Sequence, residues 1–80
     1  MAIVLIPPAM RALTGAERVT LAAANVRALL GALETRYPGF ADALGPRFAV
    51  SIDGEIRSDA DYDPLADGSE VAFLPPLAGG

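Results

Sequence analysis

The chain has 80 residues, a formal net charge of −4, and no cysteine, histidine or lysine. This length allows one small domain. The missing residue types exclude disulfides, thiolate metal sites, histidine bases and lysine Schiff bases. The negative charge argues against nucleic acid as a partner, because binding phosphates requires clustered positive charge.

The charge is unevenly distributed along the chain. Residues 1–52 carry five arginines against three carboxylates, or +2, whereas residues 53–80 carry one arginine against seven carboxylates, or −6. Two interpretations remain open for this acidic third. It is either a set of solvated loops or a surface that steers a basic partner.

Two strands are predicted in the first quarter of the chain. The aliphatic run Ala2 to Ile6 is typical of a strand buried on both faces, and Pro7-Pro8 ends it. After a loop, Glu17 to Leu21 alternates in polarity and predicts a half-exposed strand that pairs with the first. The apolar stretch 2–10 is too short and too proline-broken to span a membrane, so we expect a cytoplasmic protein.

A helix is predicted over residues 25–37, with Asn25 as its cap and Pro38-Gly39 as its end. Its apolar residues recur at helical spacing: Val26, Leu29, Leu30, Leu33 and Tyr37. Gly31 in the helix interior costs about 1 kcal/mol relative to alanine. We interpret it as a sign of close packing against a sheet.

Further strands are predicted in the second half. Residues 48–56 alternate in polarity around Asp53-Gly54, a two-residue hairpin turn. Asp67-Gly68 then turns the chain into a last strand, Glu70 to Leu74, with Val71 and Phe73 on one face.

One main helix on a mixed sheet of four to five strands predicts an α+β domain. The most apolar strand is the first, and the helix separates two hairpins, so we expect the first and last strands to be neighbours. This is the β-grasp, or ubiquitin-like, arrangement. A ferredoxin-like fold would need a second helix within residues 57–69, where aspartate, serine and a proline oppose one.

No catalytic or metal-binding constellation is predicted. Asp59, Asp61 and Asp63 alternate like the start of a calcium loop, but the loop's glycine and terminal glutamate are missing. The serines and threonines have no histidine or lysine to activate them. We therefore expect a protein that is not an enzyme.

The last six residues form a separate segment in this interpretation, with the domain ending at residue 74. Pro75 and Pro76 favour an extended backbone, so residues 75–80 reach about 20 Å at most. Gly79 and Gly80 have no side chains and fit a narrow channel. The segment is either a tail that is inserted into another protein or an ordinary frayed terminus.

The sequence resembles the ubiquitin-like sulfur-carrier family, which includes the small subunit of molybdopterin synthase and the carriers of thiazole and cysteine biosynthesis. The resemblance covers the whole chain. It is carried by the apolar first strand, by RYPGF at 36–40, by DGSEVAFLPP at 67–76 and by AGG at 78–80.

The resemblance implies a role as a protein substrate. An E1-like adenylating enzyme would use ATP to activate the Gly80 carboxylate, and a sulfur donor would then leave a thiocarboxylate. Gly79, Ala78 and Leu77 would lie in the partner's channel, and Leu74, Pro75 and Pro76 would form the partner interface. No cofactor would be bound stably. The sulfur acceptor would be a large synthase subunit or another enzyme.

Two segments of the chain predict different pathways for the sulfur. LPPLAGG at 74–80 resembles the molybdopterin type, which is the preferred prediction, whereas IPPAMRALTG at 6–15 resembles carriers for cysteine synthesis. A carrier for thiazole biosynthesis is a further alternative. Two other functions remain as alternatives. The chain would be a ubiquitin-like modifier of other proteins, or an interaction domain with an inert tail.

Overall fold

The computed structural model describes residues 1–45, 48–57 and 62–74. Five strands form one mixed sheet in the order β2-β1-β5-β3-β4. Their bounds are Ala2–Leu5 for β1, Arg18–Leu21 for β2, Ala49–Ile52 for β3, Glu55–Arg57 for β4 and Glu70–Leu74 for β5. β1 and β5 are parallel neighbours, while the other pairs are antiparallel. The predicted β-grasp arrangement is thereby confirmed.

The main helix, α2 (Val26–Arg36), packs on one face of this sheet and matches the predicted helix within a residue at either end. Its buried side chains are Val26, Leu29 and Leu33, which recur at helical spacing. The side chain of Asn25 accepts a hydrogen bond of 2.8 Å from the backbone N–H of Ala28 and so caps the helix.

The core lies between α2 and the inner face of the sheet. Val4 and Val71 are fully buried in the two central parallel strands, and Phe73 is 2% exposed. The ring of Phe73 meets the rings of Phe40 and Phe48 edge-on, at centroid distances of 6.0 and 5.8 Å. Val71 and Phe73 share one face of β5, as predicted, and that face is the inner one.

The two turns predicted from Asp-Gly pairs are present. At the β3–β4 hairpin Asp53 and Gly54 both have positive φ, 52° and 86°, as a tight hairpin turn of this length requires. The Asp53 side chain also accepts a 2.9 Å hydrogen bond from the backbone N–H of Glu70, which ties this turn to the start of β5.

Three short helical segments were not predicted. They are a 3₁₀ helix at Pro8–Met10, α1 at Arg11–Thr14 and α3 at Phe40–Leu44. Each spans at most five residues, too short for a helical periodicity to be visible in the sequence. The 3₁₀ helix contributes Met10 to the core and α3 contributes Phe40 and Leu44, whereas α1 contributes no buried residue.

Two predictions about burial were wrong. β1 is buried on its inner face only: Ile3 and Leu5 are half-buried because no described element covers the outer face, the side of the sheet opposite α2. Gly31 does not face the sheet. It is exposed, and a side-chain carbon added there would meet nothing within 4 Å among the described residues.

Within the described part of the chain, no helix has the length and apolar character needed to cross a membrane.

Candidate functional site

The candidate site begins at Leu74, the last residue of β5 and the point from which the predicted tail departs. β5 is held on both sides, since Leu5 lies opposite Ala72 in the parallel ladder and Ala49 lies opposite Leu74 in the antiparallel one. The root of the tail therefore has a fixed position in the sheet. The other predicted site residues are Pro75, Pro76, Leu77, Ala78, Gly79 and Gly80, and they lie outside the described residues.

Leu74 lies on the outer face and is 37% exposed. Its neighbour Phe73 is buried on the inner face, as the alternation of a strand requires. Leu74 thus lies on the face opposite to that of Val71 and Phe73, in agreement with the predicted alternation of this strand. Its contact with a partner stays a prediction.

An apolar groove of about 480 Å³ adjoins Leu74. It is lined by residues 5–9, where β1 ends and the 3₁₀ helix begins, and by residues 72–74 of β5. We call it the exit groove. Pro7 is buried in its wall, whereas Pro8 and Ala9 are exposed. All of its lining residues are apolar, so the groove offers a partner little but hydrophobic contact.

The exit groove was not predicted as part of the site, although one of its lining segments, Pro7-Pro8, is conspicuous in the sequence. Pro7-Pro8 is predicted to end β1, and it lies within IPPAMRALTG, the segment that resembles carriers for cysteine synthesis. Its position beside Leu74 depends on the parallel pairing of β1 with β5, which brings together residues almost seventy positions apart.

Charged residues are separated along the strand direction. Near the exit groove lie Arg18, at the start of β2, and Arg11, which pairs with Glu17 at 3.5 Å. The opposite end of the sheet carries several carboxylates: Asp53, Glu55, Asp67 and Glu70. The acidic third of the sequence thus contributes these described carboxylates to the end of the sheet away from the tail.

Two carboxylates have shifted titration. Hydrogen bonds donated by the backbone N–H groups of Gly39 (2.7 Å) and Ala41 (3.0 Å) lower the pKa of Glu34. The amino-terminal ammonium of Met1 lowers the pKa of Asp67, first as a hydrogen-bond donor and then as a nearby positive charge. Both lowered pKa values show that the ionised carboxylate is favoured. Neither carboxylate therefore becomes a general base near neutral pH.

In the described ranges, acidic side chains nowhere gather into a group of three that could hold a metal ion. Asp59 and Asp61 of the calcium-loop comparison lie outside those ranges. The site supplies a support and a contact surface for the tail. It has a fixed strand end, an apolar groove beside it, and a short chain segment beyond.

A sequence model of the ThiS family matches residues 4–80, nearly the whole chain. The chain belongs to the ThiS family. Members of the ThiS family are small ubiquitin-like sulfur-carrier proteins. The resemblance predicted from RYPGF, DGSEVAFLPP and AGG is therefore confirmed at the level of the family.

Solved structures share the fold of this chain. A chain in the crystal structure of the Amycolatopsis orientalis BexX/CysO complex is 26% identical, with a TM-score of 0.85 and full coverage of both chains. SAMP1 from Haloferax volcanii is 24% identical (TM-score 0.75), with coverage of 99% of this chain and 98% of that one.

A putative molybdopterin converting factor subunit 1 from Pyrococcus furiosus is 22% identical (TM-score 0.71), with coverage of 95% and 97%. At these identities the last two comparisons show a shared fold. No curated protein sequence matches the chain.

Proposed function

We propose that this protein carries sulfur as a thiocarboxylate on Gly80. The observation that carries the proposal is the extent of the family match, which runs through the last residue and so includes the AGG ending. The fixed position of Leu74 in the sheet supports it, since a reactive terminus is more easily presented from a rigid root.

The chemistry follows from the weak reactivity of a carboxylate. An oxygen of the Gly80 carboxylate attacks the α-phosphorus of ATP on an activating enzyme, and pyrophosphate leaves. A donor sulfur at the oxidation level of sulfide then attacks the carbonyl carbon, and AMP leaves with the shared oxygen. The product is a thiocarboxylate, which is ionised at neutral pH and supplies a nucleophilic sulfur without any cysteine in the chain.

Two acceptors are considered for this sulfur. The ending LPPLAGG predicts the small subunit of molybdopterin synthase, and IPPAMRALTG predicts a carrier for cysteine synthesis. The chain from the BexX/CysO complex matches at 26% identity, whereas the molybdopterin converting factor matches at 22%, a level that supports the fold alone. Both acceptors, and an acceptor in thiazole biosynthesis, therefore stay as candidates for this sulfur.

The first experiment measures the intact mass of the protein after co-expression with its activating enzyme and a sulfur source. We expect a gain equal to the mass difference between sulfur and oxygen. A variant that lacks Gly80 is the matched control, because the deletion leaves β5 and the core untouched, and it should gain nothing. An unchanged mass of the full chain under these conditions would contradict the proposal.

The enzyme that accepts the sulfur is identified by capturing the proteins that bind the carrier. The thiocarboxylated protein is incubated with native lysate, and the bound proteins are identified by mass spectrometry. Recovery of a cysteine-forming enzyme supports the CysO-type assignment, and recovery of a molybdopterin synthase large subunit supports the other.

A further inference from the structure

We propose that the chain forms a two-fold symmetric dimer through a groove between α2 and α3, in which Arg27 of each copy pairs with Asp42 of the other. This groove lies on the helix side of the sheet, away from the outer face and from Leu74. The dimer therefore leaves the tail of each copy free. The inference goes beyond the proposed function and does not depend on it.

The groove consists of two adjoining hollows, which together we call the helix groove. The first, of about 370 Å³, is lined mainly by α2 and includes Arg27 and Gly31. The second, of about 330 Å³, is lined mainly by α3 and includes Asp42 and Phe48. Leu30 and Ala41 line both hollows and so mark the centre of the helix groove.

Apolar side chains in the helix groove are incompletely covered by the monomer. Leu30 and Phe48 pack against the core but are only half-buried, and Ala41 is exposed. Contact with another apolar surface would remove the rest of these side chains from water, which is favourable. The helix groove is therefore suited to a partner that brings apolar groups of its own.

Gly31 indicates that something approaches α2 from outside. Glycine lowers the stability of a helix relative to alanine. A side-chain carbon at this position would meet nothing within 4 Å among the described residues, so packing inside the monomer does not require a glycine. Because Gly31 lines the first hollow, its missing side chain lets the surface of a second molecule come close to the helix backbone.

The charges of the helix groove are complementary. Arg27 lines only the first hollow and Asp42 only the second, and both are exposed. Neither forms an ion pair within 4.0 Å with another described residue. The guanidinium of Arg27 lies 6.0 Å from the ring centroid of Tyr62, a contact that leaves its N–H donors available. Glu34, also in the first hollow, is already bound to backbone N–H groups of Gly39 and Ala41.

A second copy of the chain matches this arrangement by symmetry. In a two-fold interface the same surface of each subunit meets itself, so the contact of one residue with another occurs twice. A two-fold axis at the centre of the helix groove sets the first hollow of one copy against the second hollow of the other. Arg27 of each copy then meets Asp42 of the other, and two ion pairs flank a central apolar contact of Leu30 and Ala41.

The test measures self-association by sedimentation over a range of protein concentrations. Each copy carries a net charge of −4, which opposes association, so we expect a weak dimer that forms at about 0.1 to 1 mM. Arg27→Asp gives the helix groove a carboxylate at both ends, and Asp42→Arg gives it an arginine at both ends. Each variant alone should self-associate about tenfold more weakly or worse than the native chain, because like charges then meet.

An equimolar mixture of Arg27→Asp and Asp42→Arg provides the decisive arm. In a dimer of one copy of each, both ion pairs are restored, so the mixture should associate with a dissociation constant within about threefold of the native value. Arg36→Asp is the matched control, because it makes the same charge change at an exposed position of α2 that does not line the helix groove. It should change the dissociation constant by about twofold or less.

Gly31→Gln tests the close approach without changing the charge. Its side chain enters the first hollow and should weaken association about tenfold, while the monomer has open space for it and should remain folded. Circular dichroism and urea midpoints establish the folding of every variant. If Asp42→Arg is not folded, Arg27→Asp and Gly31→Gln decide the proposal by themselves.

A native chain that stays monomeric at about 1 mM would overturn the dimer and would leave the helix groove open to a different protein. A native dimer that Arg27→Asp and Gly31→Gln leave unchanged would also overturn it, since the copies would then meet through another surface. So would a mixture of folded Arg27→Asp and Asp42→Arg that does not associate. None of these outcomes affects the sulfur-carrier proposal, which is decided by the mass gained at Gly80.

Discussion

Phe73 and Leu74 are consecutive residues of β5 whose side chains lie on opposite faces of the sheet. Phe73 is buried against Phe40 and Phe48, while Leu74 is partly exposed beside the exit groove. We expect Phe73→Ala to destabilise the fold by about 3 to 5 kcal/mol, and Leu74→Ala by much less. Urea denaturation measures both. The reverse order of midpoints would contradict the assignment of strand faces.

Leu74→Ala should instead weaken the binding of a partner that holds the tail. Its effect is separable from unfolding, because the truncated side chain lies on the outer face and leaves the packing of Phe73 in place.

Gly31 lowers the stability of α2, and the fold does not require a glycine at this position. It lies on the exposed side of α2 with open space around its α-carbon, so alanine fits there without a clash. We expect Gly31→Ala to raise the free energy of unfolding by about 0.5 to 1 kcal/mol, because alanine restricts the unfolded chain and favours the helix. Thermal denaturation provides the measurement.

Gly39 is the matched control for Gly31. It also has open space, but its φ is +97°, a conformation that residues with a side chain rarely adopt. Gly39→Ala should therefore destabilise the protein. If both substitutions change the midpoint in the same direction, backbone conformation is not what distinguishes the two sites.

At the scale of elements, Glu34 connects two helices. Its carboxylate, on the last turns of α2, accepts hydrogen bonds from the backbone N–H groups of Gly39 and Ala41 at the start of α3. N–H groups at a helix N-terminus have no acceptor within their own helix, and they favour a negatively charged partner. Glu34 thereby fixes the position of α3, which places Phe40 and Leu44 in the core.

This contact predicts a dependence on pH. The pKa of Glu34 is lower in the folded protein than in the unfolded chain, so its stabilising effect is complete above the ordinary pKa of a glutamate and is lost as the pH falls through the lower, folded value. The native chain should therefore be more stable than Glu34→Gln near neutral pH, and the difference should shrink in acid. Urea midpoints at a series of pH values measure it. A difference that stays constant with pH would show that ionisation of Glu34 is not its cause.

At the scale of the whole molecule, the sheet order places β5 between two neighbours, so the strand that ends at Leu74 is fixed on both edges. The described carboxylates near β5 gather at the end where it begins, and the exit groove lies where it finishes. The folded domain therefore has an acidic end, where β5 begins, and an apolar end, where β5 finishes.

The composition of the whole chain makes a prediction for the alternative role as a protein modifier. Because the chain contains no lysine, an isopeptide bond to a lysine of another copy cannot form. Any conjugates in cells should carry single copies, as seen by immunoblotting and mass spectrometry. Arg36→Lys keeps the charge at an exposed position of α2 and supplies one lysine, so it controls for detection of linked copies. Conjugates that carry two or more linked copies of the native protein would contradict this prediction.

The sequence by itself determined the alternation of the strands, the bounds of α2, the Asp-Gly turns and the family to which the chain belongs. These features are local: they depend on the periodicity of apolar residues, on the conformational freedom of glycine and on the geometry of proline. The absence of histidine, cysteine and lysine also narrows the chemistry that this chain can perform, because composition alone removes those nucleophiles and bases.

Only the tertiary structure decided which surfaces those elements share. The exit groove exists because parallel pairing of β1 with β5 sets Pro7 beside Leu74, and no local pattern encodes a contact between residues so far apart in the chain. The exposure of Gly31 and the half-burial of Leu5 were decided in the same way. Each depends on which neighbouring element covers a face, a property of the packed molecule and not of any segment alone.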